Sequence, residues 1–427
     1  MTKFSVEGGN PLQGTITPSG NKNEALPILA ASLLTREEIR LSNCPGIGDV
    51  ETMLSLLEYC GVTTQRASLH DVTLRAETIA RTDLPKSLCR KIRASVVLLA
   101  PLLARCGRVR LPFPGGDRIG RRRVDTHLLG FQALGANCVV SDGYYHLWCS
   151  RRLKGADILL DEASVTATEN LAMAAALAEG TTILRNAASE PHVQQLCRFL
   201  NRLGAKISGI GSNVLTIEGV EELQGGEHRI AADYLEVGSF IGLAVVTRGE
   251  ILIKDASPES LRMILYHFGR LGVKVDIRGA DLFVPREQSR KIEPDLGTLL
   301  VKIDDGPWPM FPADMMSIAV VLATQMEGTA MIFEKMFESR LFFVDRLISM
   351  GANIILCDPH RAVVVGPTAL RRNVMSSPDI RAGMALLMAA LCADGVSEIQ
   401  NIEQIDRGYE RLDERLAALG ARIRREE

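Results

Sequence analysis

Residues 169–205 read ENLAMAAALAEGTTILRNAASEPHVQQLCRFLNRLGA. The first part is Ala, Leu and Met with almost no polar face, the composition of a helix surrounded by protein on all sides. TTILRN then alternates at the period of a strand. In VQQLCRFLNRLG the apolar residues Val193, Leu196, Phe199, Leu200 and Leu203 recur at helical spacing, so this second helix keeps one wet face. Gly204 supplies the left-handed residue on which helices commonly end. A further strand follows it.

The same succession returns along the chain. Its closing glycine stands in EYCGV (Gly61), QALGA (Gly135), NRLGA (Gly204), GRLGV (Gly272), ISMGA (Gly351) and AALGA (Gly420), at intervals of about 70 residues. MALLMAALCADG repeats the apolar helix, EILIKD and AMIFEK repeat the strand, and KVDI and NIIL follow the glycine. At Ser257-Pro258-Glu259 a hydroxyl before a proline predicts an N-cap and first helical position. Six units of helix–strand–helix–strand exceed one core, so three per domain is the economical division, with a cut near GGEHRIAADYLEVG.

The 427 residues carry 46% hydrophobic and 23% charged side chains and a formal charge of −2. That balance offers nothing to a nucleic acid or a membrane surface. Apolar runs such as ALPILAASLL stop at about ten residues, short of a bilayer span, and the start MTKFSVEGGN predicts no secretory signal. Nine cysteines without a CxxC pair fit reduced thiols in a cytoplasm, and seven histidines without close grouping suggest no metal site.

FPGGDRIGRRRVD (113–125) sets two glycines and an aspartate before a run of arginines, an unusual loop composition. Together with GNKNEALPILAASLL (20–34), FPADMM (311–316), IDRGYERLDERLAALGA (405–421) and the six units, it resembles the enolpyruvyl transferase family over essentially the whole chain. The similarity is closest to the members whose acceptor is UDP-N-acetylglucosamine. The resemblance implies a two-domain inside-out α/β barrel with three units in each domain. The chain would cross between domains twice, with residues 1–21 and 231–427 in one and 22–230, carrying a mobile loop near 113–123, in the other.

The resemblance also implies a reaction. The enolpyruvyl group of phosphoenolpyruvate passes to the 3′-hydroxyl of UDP-N-acetylglucosamine and phosphate leaves, in the first committed step of peptidoglycan synthesis. No metal or organic cofactor is implied, and the oligomeric state stays open. Lys22, Arg122 and Arg407 would hold the substrate phosphate, with Arg340, Arg381 and Arg407 towards its carboxylate and Arg93 assisting. Arginine forks suit both anions. Arg381, near a predicted helix start, is a cation placed against the helix dipole. Asp314 would be the general base towards the sugar hydroxyl. As an unspecialised residue it would instead cap the apolar helix that follows. Asp117 would be the acid on a loop whose glycines let it close; its plain alternative is a charged loop tip. The UDP-sugar would meet Asn23, Arg93, Asp125, His127, Ser164, Val165, Asp314 and Met336.

Several positions depart from the family pattern. Asp117 stands where most relatives have cysteine, Arg123 where proline is usual, Glu162 where lysine is, Thr166 where glycine is, Tyr234 where arginine is, and Ala313 where threonine is. These changes bear on the acceptor. A divergent paralogue with another nucleotide or sugar acceptor and a silent binding protein of the same fold are the alternatives, with a shikimate-pathway enzyme weaker than either.

Overall fold

The computed structural model describes residues 2–117, 119–294, 296 and 299–426. The chain forms two compact units: Met1–Ser19, Asp117–Arg121 and Ala232–Glu427 make the terminal unit, and Gly20–Gly116 with Arg122–Ala231 make the middle unit. Each has its own hydrophobic core.

All six closing glycines are left-handed, with φ of 102° at Gly61, 90° at Gly135, 102° at Gly204, 83° at Gly272, 101° at Gly351 and 97° at Gly420. A side chain disfavours that conformation, which is why this position punctuates every unit. The apolar helices are the inner ones. Every residue of Tyr234–Val246 and of Met316–Thr324 is buried, as is nearly all of Ile380–Cys392. These three pack on one another in the terminal unit. Lys22–Ala31, Leu99–Cys106 and Val165–Ala176 are their counterparts in the middle unit. The second helices, such as Pro191–Arg202 and Arg262–Arg270, bury one face only.

Among the described residues the first five repeats each end in a hairpin, one strand more than the sequence period predicts. After Pro191–Arg202 come Lys206–Ser208 and Val214–Glu218, paired antiparallel. The three-residue first strand is too short for alternation to register. One sheet plan results. In the terminal unit, Gly328–Phe333 pairs in parallel with Val301–Asp304 and antiparallel with Arg361–Gly366, which pairs with Asn353–Asp358. Glu250–Ile253 repeats this with Gln13–Ile16, Asp281–Val284 and Asp276–Arg278. Val396–Gln400 repeats it with Val374–Ser376, but the place of the returning hairpin strand is filled by Lys3–Glu7, which pairs with Arg422–Glu426. Phe4 and Val6 point into the core while Lys3, Ser5 and Glu7 do not, as the period of two requires.

The middle unit has two four-stranded sheets of the same plan, around Thr181–Arg185 and Glu38–Ser42. Its third sheet, Arg108–Pro112, Tyr144–Trp148 and Asn137–Ser141, has three strands; the single parallel bridge Asp83–Arg110 stands where the fourth strand would be.

Two capping expectations are corrected. Ser257 makes no capping hydrogen bond; it sits at φ 50° and turns the chain, while Pro258 opens a 3₁₀ turn, Pro258–Leu261, ahead of the helix. Asp314 is no cap either. It lies inside the 3₁₀ turn Ala313–Met315, and neither that turn nor the helix Met316–Thr324 has a side-chain cap.

The inner helices of the terminal unit approach closely at Gly242. A Cβ there would lie 2.9 Å from Ile318 Cγ2 and 3.0 Å from Met388 Sδ, one on each neighbouring helix. Gly242→Val is therefore expected to lower unfolding free energy by about 1–3 kcal/mol through overpacking. Gly269→Ala, whose added Cβ would meet nothing within 4 Å on the helix Arg262–Arg270, is expected to raise it by about 0.5–1 kcal/mol. Denaturant midpoints check both signs.

Candidate active site

The inner helices of the terminal unit bring their N-terminal ends together, and charged side chains gather there. Asp379 caps Ile380–Cys392, accepting from the backbone N–H groups of Arg381 and Ala382 at 2.9 Å each. This leaves the Arg381 side chain, in the first turn of an otherwise apolar helix, aimed at the neighbouring helix start. Its Nε donates to Asp314 Oδ2 at 3.2 Å and its Nη1 to the Tyr409 hydroxyl at 3.1 Å. Arg340 approaches the same carboxylate from the turn Arg340–Phe343, with Nη2 2.8 Å from Asp314 Oδ1. Both arginines are buried, whereas Asp314 keeps 30% of its side chain exposed. Two dry cations thus hold each oxygen of a carboxylate that still meets solvent. Burial alone would weaken the charge on Arg340. Neighbouring carboxylates, Asp314 foremost, outweigh it and hold the guanidinium above the ordinary arginine range.

Arg407, from the segment after Glu403–Asp406, donates through Nη1 to Asp117 Oδ1 at 2.5 Å and to Gln404 Oε1 at 2.8 Å. Asp117 is mostly buried, so it is not a solvated loop tip. The rest of its segment is tied down by Ser339 N–H on Ile119 O at 3.1 Å and Arg121 N–H on Glu338 Oε1 at 2.9 Å. Met336 is exposed, with its backbone N–H on Asp305 Oδ2 at 3.4 Å.

In the middle unit Asn21 caps the helix Lys22–Ala31 through the N–H groups of Asn23 and Glu24. Lys22, the first helical residue, is nearly buried and its Nζ lies 3.2 Å from Asp49 Oδ2. Asn23 is half-buried on the same turn. Arg93 Nη2 donates to the backbone carbonyls of Arg122 at 2.7 Å and Arg123 at 3.2 Å, so it shapes the end of the glycine loop. Gly115 packs so closely on that wall that a Cβ would fall 1.7 Å from Arg90 O.

Two departures from the family pattern, Arg123 and Thr166, have partners within this unit. Arg123 bridges Asp125 at 3.0 Å and Asp161 at 2.7 Å, and the Thr126 hydroxyl donates to Asp161 at 2.7 Å. Thr166 partners His127. Asn170 Nδ2 donates to His127 Nδ1 at 2.9 Å, which leaves Nε2–H to donate to the Thr166 hydroxyl at 3.1 Å. Burial pushes His127 down to about 3, with Arg93 adding to the effect, so the ring is neutral. His127 is fully buried and both its nitrogens are taken, so in this unit it fixes the helix start and presents no surface to a ligand. Asp125 is exposed; Ser164 and Val165 are half-buried at the start of Val165–Ala176, which Ser164 caps through Ala167 N–H at 3.4 Å. Glu162 is exposed, while Tyr234 and Ala313 are buried.

Five further residues escaped the sequence: Asp49, Asp379, Tyr409, Asp305 and Glu334. Two had a signal. Asp379 stands two residues before Arg381 at a helix start, and Tyr409 two residues after Arg407. The others reach the site only through tertiary contacts. Among the described residues no group of three or more His, Cys, Asp or Glu could hold a metal ion, and no helix is long and apolar enough to cross a membrane.

Three-unit modules with buried helices, guanidiniums gathered at the helix starts and a carboxylate between them define an enolpyruvyl transferase. The chain belongs to the EPSP synthase (3-phosphoshikimate 1-carboxyvinyltransferase) family, whose model matches residues 6–416. It is 54% identical over 423 residues to a UDP-N-acetylglucosamine 1-carboxyvinyltransferase of Treponema denticola, covering 99% of each chain. It is 55% identical to that of Bradyrhizobium diazoefficiens, covering 99% of this chain and 98% of the other. Among solved structures, the enolpyruvyl transferase NikO from Streptomyces tendae matches with a TM-score of 0.89 at 25% identity, over 99% of this chain and 98% of that one. An EPSP synthase from Acinetobacter baumannii shares the fold, with a TM-score of 0.77 at 16% identity over all of both chains.

Proposed function

We propose that the chain transfers the enolpyruvyl group of phosphoenolpyruvate to the 3′-hydroxyl of UDP-N-acetylglucosamine, with release of phosphate, in the cytoplasm. The names of the half-identical relatives support this acceptor. The observation that carries the chemistry is the Asp314 carboxylate held between buried Arg340 and Arg381.

In the addition step the hydroxyl oxygen bonds to C2 of phosphoenolpyruvate, its proton passes to Asp314, and C3 receives a proton from Asp117. In the elimination C3 returns a proton to the Asp117 carboxylate, the C2–O bond to phosphate breaks, and the enol ether forms. Lys22, Arg122 and Arg407 serve the phosphate, and Arg340, Arg381 and Arg407 the carboxylate, with Arg93 supporting. Fixed, desolvated cations stabilise charge that shifts between these oxygens without reorganising. A phosphate that takes Arg407 displaces Asp117 from it, and the freed carboxylate takes up from water the proton that it then gives to C3. Asn23, Asp125, Ser164, Val165 and Met336 contact the UDP-sugar, and His127 and Arg93 hold the backbone around it.

Phosphate release from phosphoenolpyruvate should depend on UDP-N-acetylglucosamine and not on shikimate 3-phosphate. Release with a different nucleotide sugar alone would keep the phosphoenolpyruvate roles and overturn the acceptor. No release with any acceptor would overturn the function.

A further inference from the structure

We propose that Glu334 is a positioning residue for this reaction: its side chain sets where the Arg340 guanidinium lies, and Arg340 in turn sets the Asp314 carboxylate. The inference rests on the role of Asp314 proposed above.

Glu334 directly follows the strand Gly328–Phe333, and Arg340 opens the turn six residues on. Neither Glu334 nor Asp305 has any measurable exposure, and Arg340 has 4%. Arg340 faces both carboxylates. Its Nη2 is 2.8 Å from Asp314, but its Nε stops 3.8 Å from Glu334 Oε2, beyond hydrogen-bond range. Among the described residues neither Arg340 Nε nor Glu334 Oε2 has a hydrogen-bond partner. A buried guanidinium N–H and a buried carboxyl oxygen standing apart call for an explanation, because an ionised glutamate would close that gap.

Asp305 supplies it. Its Oδ1 accepts from Lys335 N–H at 2.5 Å and its Oδ2 from Met336 N–H, while Glu334 Oε1 accepts from Phe337 N–H at 3.1 Å. Asp305 is thereby anchored on the two backbone N–H groups that directly follow Glu334. A further anion in so dry a site is disfavoured, so burial favours the protonated form of Glu334. Burial pushes Glu334 up to about 9, with Arg340 opposing the rise and Asp305 adding to it. The proton therefore resides on Glu334 at neutral pH, and Arg340 directs its charge to Asp314. Loss of the proton creates a second, fully buried anion that draws Arg340 away from Asp314. The other charges around the pair are Asp379 and Arg381 on the helix Ile380–Cys392, Lys335, which pairs with Asp304 at 2.8 Å, and His360, whose Nδ1 lies 2.7 Å from Glu334 O.

Glu334→Gln keeps the shape and fixes the neutral state. Steady-state kcat and KM for phosphoenolpyruvate, measured from pH 6.5 to 10 with saturating acceptor, test the inference. At pH 7 the variant should stay within about threefold of wild type in kcat. Above pH 9, where wild type declines as Glu334 ionises, the variant should exceed it by about threefold or more. Glu334→Ala should lose at least about tenfold in kcat at every pH, with a smaller change in KM. Superimposable profiles for wild type and Glu334→Gln would overturn the inference while leaving the function intact. An inactive wild type would overturn the function and this inference with it.

Discussion

Asp314→Asn should lower kcat by about 10²–10⁴-fold, the contribution of a positioned general base, with KM for phosphoenolpyruvate changing far less. The carboxylate is not spent on a helix cap; both oxygens are turned to guanidiniums, and it still reaches solvent where an acceptor hydroxyl could approach. Asparagine matches its shape but cannot take a proton. It also leaves Arg340 and Arg381 facing a neutral amide. Removing one partner of a buried ion pair costs up to about 3–5 kcal/mol, and the partial exposure of Asp314 relieves part of that cost. Unfolding by denaturant separates the stability loss from the rate loss. A folded Asp314→Asn retaining more than about a tenth of wild-type kcat would remove Asp314 from the role of base.

Asp117→Ala should lose a comparable factor in kcat, since no other acid stands among the described residues between 113 and 123. The accompanying change in KM distinguishes an acid from a structural residue. Alanine releases Arg407 from its 2.5 Å ion pair, so phosphoenolpyruvate should bind at least as tightly as in wild type. A second consequence concerns fosfomycin, an epoxide that alkylates a loop cysteine in relatives that have one. Here the carboxylate offers no thiolate. Cys89, whose carbonyl accepts from Gly115 N–H, is buried and its thiol is pushed up to about 12. A thiol held protonated is a poor nucleophile. Wild-type activity should survive the drug and the intact mass should stay unchanged, while Asp117→Cys should gain one adduct and lose activity. Rapid covalent inactivation of the wild type would contradict the assignment.

The candidate residues and their partners were unequally legible. Lys22, Arg93, Arg122, Arg340, Arg381 and Arg407 were nameable through the family resemblance, with Arg381 also signalled by its place near a predicted helix start. The partners that decide their behaviour were not. Asp49 holds Lys22 from 27 residues away, and Tyr409 meets Arg381 across 28. His127, placed on the ligand surface by resemblance, turns inward because Asn170 and Thr166 take both ring nitrogens.

The chain's own order of residues determined six units, their apolar helices and the glycine that closes each one, because these follow from period and from a backbone angle that other residues resist. Tertiary structure decided that Lys3–Glu7 completes a sheet between Val396–Gln400 and Arg422–Glu426. It also decided that Asp314 faces two arginines instead of capping a helix, and that Glu334 is buried beside Arg340. Strand partners and buried charges are chosen by which groups meet away from water, and that meeting depends on packing between segments far apart in the chain.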